Sequence, residues 1–508
     1  MTLARSHAVT LSGVVGHVVQ IEVDVGVGVP GFTLTGLPDA ALNEARDRVR
    51  AAVVNSGEPW PLRRVTVNLS PASLRKRGSG FDLALAATCL AAHELLPQGC
   101  LEPWVLLGEL GLDGRVRPVP GVLPAVLSAA RAGFTRVAVP RANAAEAALV
   151  SDVQVLGVAA LSDLLAALRS EQPLEWVAAE PVPDAELEVP DLRDVVGQHH
   201  ARQAIEIAAA GGHHLFLHGP PGAGKTLLAE RLPGLLPALD RTAQLEVTAV
   251  HSVAGELPPG QPLITRPPFR APHHTASAPA LVGGGSGLAR PGAVSLAHRG
   301  VLFLDEAPEF GRRTLDALRE PLENGSLSLS RAEGTVTYPA RFQLVLAANP
   351  CPCGLATGGA ACTCTPFQRI RYLARLSGPL MDRVDLRVGV EPVGRSDLFG
   401  AGAGEASEPV RERVLAARER ARHRLADTAW RTNSDIPGHE VRRRFRPAEG
   451  ALRPVADRLS RHELSARGVD RVLRVAWTVA DLAGVDRPGP SEVAVALALR
   501  IGTSAWAA

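Results

Sequence analysis

The segment that most constrains the fold is a glycine-rich loop between an apolar run and a helix-forming run. His214 to His218 is typical of a buried strand, and a helix is predicted from Leu227. Between them lies the pattern G-x-x-x-x-G-K-[ST], whose glycines let backbone N–H groups surround phosphates. The loop consists of Gly219, Pro220, Pro221, Gly222, Ala223, Gly224, Lys225 and Thr226. We predict that Lys225 reaches the β- and γ-phosphates of a nucleotide and that Thr226 offers its hydroxyl to Mg²⁺.

Two later strands are predicted to end in residues that suit the same chemistry. Val301 to Leu304 is followed by Asp305, which suits Mg²⁺, and by Glu306, which suits positioning or deprotonation of an attacking water. The next strand ends at Asn349, which we expect to polarise that water beside the γ-phosphate. An ordinary strand with solvated acids is the alternative for Asp305 and Glu306. Their position, about 80 residues after the loop as for a neighbouring strand, favours an ATPase.

The composition is that of a globular protein with several domains. The chain has 508 residues, 46% hydrophobic and 21% charged, with a net charge of +2, which excludes disorder as the dominant state. We predict an α/β domain over residues 1–170, a linker rich in acids and prolines over 171–191, a second α/β domain over 192–393, and a helical lid over 394–508. No window approaches the ~18 apolar residues of a membrane span, and no signal peptide is recognisable. We therefore expect a cytoplasmic protein without membrane association.

Four of the six cysteines crowd into the stretch 351–364 and form two C-x-C pairs. They are Cys351, Cys353, Cys362 and Cys364. Four thiolates suit a closed structural Zn²⁺ site, which would stabilise a loop that has no core of its own. Because C-x-C is tighter than the usual C-x₂₋₄-C, an iron–sulfur cluster and unligated thiols remain as alternatives.

Several motifs together resemble one family over nearly the whole chain. They are GPPGAGKT (219–226), RPPFRAPHHT (266–275), GVLFLDEAPEF (300–310), LREPLENG (318–325), AANPCPCG (347–354), SGPLMDRVDLRV (377–388) and SARGVDRVLRVAWTVADL (465–482). The sequence resembles the AAA+ superfamily, its magnesium-chelatase-like branch and, within it, the YifB/ComM family. The resemblance implies ATP and Mg²⁺ as cofactors and a homo-hexameric ring. It also implies that Arg383 is an arginine finger for a neighbour's site and that Arg467 is a lid arginine that senses the γ-phosphate; a surface salt bridge is the alternative for each.

Residues 64–140 resemble the Lon-type protease fold but lack its catalytic pair. The resemblance puts Gly80 at the position of the nucleophilic serine and Leu123 at that of the lysine, although Ser79 is adjacent. We therefore expect a binding or assembly domain without peptidase activity. Only two of the 54 basic residues are lysines, Lys225 and Lys76. Lys76 lies between two arginines, where we weigh a nucleic-acid contact against a plain solvated loop.

The sequence says less about the molecule on which the predicted ATPase acts. The resemblance implies a DNA translocase that drives branch migration on single-stranded or branched DNA in recombination and natural transformation. A chelatase-type subunit that remodels a protein partner or drives metal insertion is the alternative. The stretch from Arg411 to Arg446 holds eleven arginines against five acids, which suits either a DNA-binding face or a helix with internal ion pairs. His273 and His274 lie in a segment that resembles the family's pore insert, where they would contact a strand, bind a metal weakly or be structural.

Overall fold

The computed structural model has the predicted α/β architecture with a parallel sheet. It describes residues 3–502 except 77, 172, 180–188, 259, 286–288, 332–333, 356–361 and 395–403. Parts of the predicted linker, of the cysteine-rich insertion and of the joint before the lid therefore lie outside the described residues, and the domain boundaries stay predictions.

The N-terminal region is built on one seven-stranded sheet with helices on both faces. Its strands are Leu3–Ser12 (β1), Val15–Gly26 (β2), Gly31–Thr35 (β3), Arg64–Ser70 (β4), Trp104–Leu106 (β5), Glu109–Leu110 (β6), Val116–Arg117 (β7), Arg136–Pro140 (β8) and Gln154–Val158 (β9). Its helices are Ala40–Asn55 (α1), Asp82–Ala92 (α2), Val122–Arg131 (α3), Ala144–Ala147 (α4) and Leu161–Leu168 (α5). The sheet order is β3-β4-β2-β1-β5-β8-β9, and β6 pairs with β7 as a separate ribbon.

One strand of this region differs from what its own sequence predicts. Val14 to Val29 suggests two strands with a turn, but β2 runs unbroken through most of that stretch and pairs with β1 along its length. Val19, Ile21 and Val23 point into the core, which is the period of two expected for a half-buried strand. The turn falls earlier, at Gly13, whose φ of 66° is easily adopted by glycine.

The second region holds a five-stranded parallel sheet. Its strands are Leu215–His218 (β10), Phe269–Arg270 (β11), Gly283–Gly284 (β12), Arg290–Pro291 (β13), Val301–Leu304 (β14), Ser326–Arg331 (β15), Gly334–Pro339 (β16), Gln343–Ala348 (β17) and Leu386–Gly389 (β18). Its helices are His199–Gly211 (α6), Lys225–Leu235 (α7), Arg241–Ala254 (α8), Ala278–Val282 (α9), Ala293–Leu296 (α10), Arg312–Asp316 (α11), Arg319–Asn324 (α12), Pro366–Leu373 (α13) and Gly378–Met381 (α14). The sheet order is β11-β14-β17-β10-β18, with helices covering buried apolar strands as is usual for parallel sheets.

The C-terminal region is helical. Its helices are Ser407–Arg424 (α15), Gly438–Arg443 (α16), Arg453–Ser460 (α17), Ala466–Ala483 (α18) and Pro490–Ile501 (α19). Val472, Val475 and Ala476 of α18 belong to the same buried cluster as Leu215 and Leu217 of β10, so this region packs directly on the parallel sheet. Among the described residues, no helix combines the length and the apolar character that a membrane crossing requires.

The parallel sheet has two chemically different edges. We call the carboxyl edge the one where Gly219, Asp305 and Asn349 follow β10, β14 and β17. We call the amino edge the opposite one, where His214 precedes β10 and Asp385 precedes β18. Because the strands are parallel, residues that follow them converge at the carboxyl edge, where open α/β sheets bind their ligands.

Candidate nucleotide site

The glycine-rich loop has the backbone that its sequence predicts. Gly222 (φ 74°) and Gly224 (φ 93°) adopt left-handed conformations before α7 begins at Lys225. Gly219 approaches another strand so closely that a Cβ there would lie 2.0 Å from the carbonyl oxygen of Val390. The loop therefore leads from β10 into the N-terminus of α7, where backbone N–H groups and the helix dipole favour an anion.

Lys225 is buried at the centre of the loop and donates to three oxygens. Its Nζ lies 2.8 Å from the carbonyl oxygens of Gly219 and Pro220 and 2.9 Å from Oδ1 of Asn349. Burial lowers the pKa of Lys225. Its partners are neutral oxygens, so phosphate oxygens that replace them would give the ammonium negatively charged acceptors.

Thr226 and Asp305 meet at the start of α7. The Thr226 hydroxyl donates to Oδ2 of Asp305 at 2.7 Å, and the second carboxylate oxygen accepts from the backbone N–H of Glu306 at 2.8 Å. Hydroxyl and carboxylate oxygens are the hard donors that Mg²⁺ prefers, so this pair fits the ion. The structure thus brings together Lys225, Thr226, Asp305 and Asn349, which follow three separate strands in the sequence.

Two contacts at the site go beyond the sequence prediction. His274 Nδ1 lies 3.1 Å from Oε2 of Glu306, so the predicted water-activating carboxylate has a side-chain partner from the segment after β11. Gln198 donates through its side-chain amide to the Ala223 carbonyl at 3.1 Å and to the Glu391 carbonyl, which ties the loop to the end of β18. His274 belongs to the motif RPPFRAPHHT, which does not specify its contact, and no motif named above includes Gln198.

Arg383 lies away from the chain's own phosphate-binding loop. It precedes β18 at the amino edge, where its guanidinium pairs with Glu323 of α12 and donates to the Pro379 carbonyl. Burial and the like charges of Arg319, Arg467 and Arg471 lower its pKa. Arg383 therefore belongs to a group of arginines, at the opposite edge from Lys225.

Arg467 is exposed on the first turn of α18, which also starts at the amino edge. One helical turn later, Arg471 pairs with the buried Asp385. Burial alone would raise the pKa of Asp385, but the charge of Arg471 and the nearby imidazole of His213 hold it well below its usual value. A strand of four residues spans about 10 Å, so the arginines before β18 are separated from the loop after β10 by at least that length.

The four clustered cysteines converge as a metal site requires. Their Sγ atoms all lie within 4.8 Å of one another, and those of Cys351, Cys353 and Cys362 are 3.3 to 3.8 Å apart. Four sulfurs bound at about 2.3 Å to one zinc would be ~3.8 Å apart. A hydrogen bond from the backbone of Leu355, followed by one with Cys351, lowers the pKa of Cys353 to about 6, which favours the thiolate that metals bind. The donor set fits Zn²⁺.

The cysteine cluster adjoins the nucleotide site. Gly354 follows Cys353 and packs so closely on the loop that a Cβ there would lie 2.4 Å from Cγ of Pro221. Arg369 of α13 donates to the sulfur of Cys362 at 3.3 Å. Hence the segment that holds the cysteines touches the phosphate-binding loop directly.

The N-terminal region keeps the expected apolar residue where the protease has its lysine. Leu123 is fully buried in α3, in a cluster with Val105 and Val137, whereas Phe81, next to Gly80, belongs to the cluster on α2. Gly80 lies in an open turn, with no heavy atom within 4 Å of a Cβ built there. Ser79, next to Gly80, donates its hydroxyl to the carboxylate of Glu109, and the lack of peptidase activity stays a prediction.

Lys76 corrects a sequence expectation. It is neither solvated nor available to nucleic acid, because its side chain is fully buried and donates to the Pro71 carbonyl. Burial lowers the pKa of Lys76. Arg77, its neighbour in the predicted patch, lies outside the described residues.

The arginine-rich stretch is occupied mainly by internal contacts. Glu419 pairs with His423 at 2.8 Å, as predicted for a charged helix. Nine of the eleven arginines make a hydrogen bond or ion pair within the chain: Arg411, Arg413, Arg418, Arg420, Arg422, Arg424, Arg431, Arg442 and Arg444. The count of charges in the sequence therefore overstates the positive surface that this stretch offers.

Comparisons with known proteins agree with this arrangement. Three protein-family models match the chain. Residues 21–143 match the family described as subunit ChlI of Mg-chelatase, and residues 191–398 match magnesium chelatase, subunit ChlI. Residues 404–500 match the C-terminal part of that subunit. The Lon protease of Azorhizobium caulinodans is similar over a shorter stretch, with 28% identity over 198 residues that cover 36% of this chain and 22% of that protease.

Three relatives match almost the whole chain. An uncharacterized protein of Mycobacterium tuberculosis is 55% identical over 502 residues, which cover 98% of this chain and 99% of the relative. YifB of Salmonella typhimurium is 44% identical over 493 residues, with coverage of 96% and 95%. Competence protein ComM of Haemophilus influenzae is 43% identical over 507 residues and covers 98% of both chains. The chain therefore belongs to the YifB/ComM family of magnesium-chelatase-like AAA+ proteins.

Proposed function

We propose that the protein is an ATPase that assembles as a hexameric ring and couples ATP hydrolysis to branch migration of DNA. The observation that carries the ATPase proposal is the convergence of Lys225, Asn349, Thr226 and Asp305 at one edge of the sheet. Family membership supports it, since the AAA+ family motifs cover the same residues.

Each of these residues has a role in the proposed hydrolysis. Lys225 and the backbone of the loop bind the phosphates, and Thr226 and Asp305 are the residues that would hold Mg²⁺. Charge neutralisation at the β- and γ-phosphates is what Mg²⁺ supplies when bound. Glu306 accepts a proton from water while the water oxygen bonds to the γ-phosphorus and the bond to the bridging oxygen breaks. Asn349 orients that water, and ADP and phosphate are released.

The arginines at the amino edge support a ring. Arg383 and Arg467 lie at the opposite edge from Lys225, so we propose that they complete the site of the next subunit. A head-to-tail contact in which one edge faces the other repeats around a closed ring. An arginine that stabilises the charge of the transferring phosphoryl group contributes on the order of 10³ to 10⁵ in rate.

The DNA assignment depends on the relatives more than on surface charge. The relative of Haemophilus influenzae is named a competence protein, which supports a role in natural transformation and recombination. Exposed Arg443 and Arg446, together with His273, are the described residues that we propose to contact the DNA. A chelatase-type subunit acting on a protein partner shares the same core motifs and is the second candidate, because the matching models carry that name.

Displacement of a strand from a forked or three-stranded DNA tests this proposal. With ATP, the wild-type protein is expected to displace the strand and to hydrolyse ATP faster when DNA is present. Lys225→Ala is expected to do neither, because the loop loses its ammonium. ATP turnover that ignores DNA, without displacement, would contradict the DNA function and leave the ATPase standing.

We also propose that Cys351, Cys353, Cys362 and Cys364 hold one structural Zn²⁺ ion. Their sulfurs have the spacing of a closed four-thiolate site, and no open ligand position is needed for a structural role. Elemental analysis of purified protein is expected to give about one zinc per chain. A content under ~0.2 per chain, or iron in its place, would contradict the assignment.

A further inference from the structure

We propose that Glu323 is a positioning residue that orients Arg383 toward the nucleotide of a neighbouring subunit. This inference rests on the proposed function, because it assigns a supporting role to an acid beside the proposed arginine finger. The Arg383 guanidinium forms an ion pair with the Glu323 carboxylate and donates to the Pro379 carbonyl. Because a guanidinium is planar, two acceptors on different nitrogens fix both its position and its plane.

The main chain on both sides of Arg383 is held by other arginines. Arg500 of α19, which is itself buried, donates to the carbonyl oxygen of Val384. Arg387 donates to the carbonyl oxygen of Met381 at 3.2 Å. Since the backbone before and after Arg383 is fixed in this way, the direction of its guanidinium depends on the side-chain torsions and on the groups that bind it.

The helix that carries Glu323 is tied to the helix that precedes Arg383. Glu323 belongs to α12, which follows α11 closely in the chain, and α14 ends two residues before Arg383. The hydroxyl of Ser377, directly before α14, donates to Oδ1 of Asp316 in α11 at 2.8 Å. The acid and the arginine therefore come from two segments that the fold holds side by side.

The charges around Arg383 make an acid at this place important. Arg319, Arg467 and Arg471 are near enough for their like charges to disfavour the Arg383 cation. A guanidinium that is repelled by three cations and has no carboxylate is expected to turn toward solvent. The contact with Glu323 opposes that movement and thus determines where Arg383 points.

The exposure of the pair distinguishes positioning from plain stabilisation. The Arg383 side chain is 9% exposed, but that of Glu323 is 55% exposed, so the pair lies at the surface of the chain. An ion pair with such an exposed partner contributes little to the free energy of unfolding. Loss of Glu323 is therefore expected to change the rate of ATP hydrolysis more than the stability of the fold.

Steady-state ATP hydrolysis by the full-length protein tests the proposal. Glu323→Ala is expected to lower kcat about tenfold with an unchanged KM for ATP, because a mobile arginine must become ordered in each transition state. The thermal midpoint is expected to fall by no more than ~4 °C. Glu323→Gln keeps an oxygen acceptor of the same reach but not the charge, and its kcat is expected to lie about threefold below wild type.

Glu320→Ala is the matched control for these variants. It removes an exposed acid from the same helix, whose described contact is with the backbone N–H of Ser328, and it is expected to match the wild type. If Glu323→Ala does not fold, Glu323→Gln takes its place in the comparison with Glu320→Ala.

A double-mutant cycle shows whether Glu323 acts through Arg383. In the Arg383→Ala background, loss of Glu323 is expected to change kcat by less than about twofold, because no arginine remains to be oriented. A further tenfold loss in that background would overturn the proposal. Glu323 variants that turn over as fast as Glu320→Ala, beside a slow Arg383→Ala, would also overturn it but leave the arginine finger standing. Wild-type turnover in Arg383→Ala would overturn both the finger and its positioning.

Discussion

The two edges of the parallel sheet differ in how their charged groups are satisfied. At the carboxyl edge, Lys225 is bound by neutral oxygens and the acids after β14 are partly exposed, so the groups are ready for a charged ligand. At the amino edge, Asp385 is buried and paired with Arg471. Arg383 and Arg467 stand beside it with like charges. Under the proposed ring, the two halves of an ATP site lie at opposite edges of one sheet, so one nucleotide would need residues from two chains.

Among substitutions at the amino edge, loss of Arg383 is expected to have the largest effect on ATP hydrolysis. Arg383→Ala is expected to lower kcat for ATP hydrolysis about 10³-fold while ATP affinity stays close to wild type, because we propose that the arginine acts on a neighbour's bound nucleotide. Turnover and binding of a fluorescent ATP analogue measure the two effects. Arg431→Ala, which removes an exposed arginine paired with Asp240, is the control and is expected to be active.

Mixing two inactive variants distinguishes action between subunits from action within one. Rings formed from Arg383→Ala and Lys225→Ala chains contain interfaces in which an intact loop faces an intact arginine. Random mixing makes about a quarter of the sites complete, and a corresponding part of the activity is expected to return. Mixed rings without any activity would show that Arg383 serves its own chain.

Asp385→Asn tests whether the buried ion pair at the amino edge stabilises the folded protein. The substitution leaves Arg471 without its carboxylate, and breaking such a buried pair costs about 3 kcal/mol. For a domain of this size the thermal midpoint is expected to fall by ~6–12 °C at pH 7, measured by calorimetry. Because the pKa of Asp385 is held below its usual value, its contribution exists above pH ~4 and is lost as the pH falls further. The difference between variant and wild type should therefore shrink in acid.

Arg467 is expected to have a smaller effect than Arg383. It is exposed on the first turn of α18, and its long side chain must become ordered to reach a neighbour's nucleotide. Arg467→Ala is expected to reduce kcat/KM about tenfold, largely through weaker nucleotide binding. Arg461→Ala, an exposed arginine in the turn after α17, is a suitable control. Equal activity of the two variants would remove Arg467 from the site.

The carboxyl edge could be predicted from the sequence better than the amino edge. Each strand of the carboxyl edge ends in a short motif, and parallel pairing brings those ends together whatever lies between them. Lys225, Thr226, Asp305 and Asn349 were therefore identifiable in advance. The position of Arg383 relative to Lys225 depends instead on the direction of β18 and on the packing of α18, which no local pattern encodes.

For residues outside the motifs, too, the local sequence does not predict the tertiary contacts. Lys76 looks like a surface charge, because a run of three basic residues is typical of a solvated loop, yet it is buried by tertiary packing and binds a carbonyl. The arginine-rich stretch suggests a positive face, but most of its guanidiniums find acids or carbonyls elsewhere in the chain. His274 and Glu306 are 32 positions apart, and only the parallel pairing of β11 with β14 makes them neighbours.

The cysteine cluster lies beside the phosphate-binding loop at the carboxyl edge. Of the changes considered, removal of its metal is expected to have the smallest effect on ATP hydrolysis. Gly354 packs closely on Pro221, so loss of the proposed Zn²⁺ ion from the cysteine cluster is expected to loosen the loop without removing a phosphate-binding group. Cys353→Ser is expected to lose the zinc and to weaken ATP binding by a few-fold, on the order of 1 kcal/mol, with kcat less affected. Cys89→Ser, a change at a buried cysteine of the N-terminal region, is the matched control and should retain the metal. If Cys353→Ser loses zinc yet binds ATP as the wild type does, the contact between Gly354 and Pro221 carries no coupling, and the cysteine cluster stabilises only its own loop.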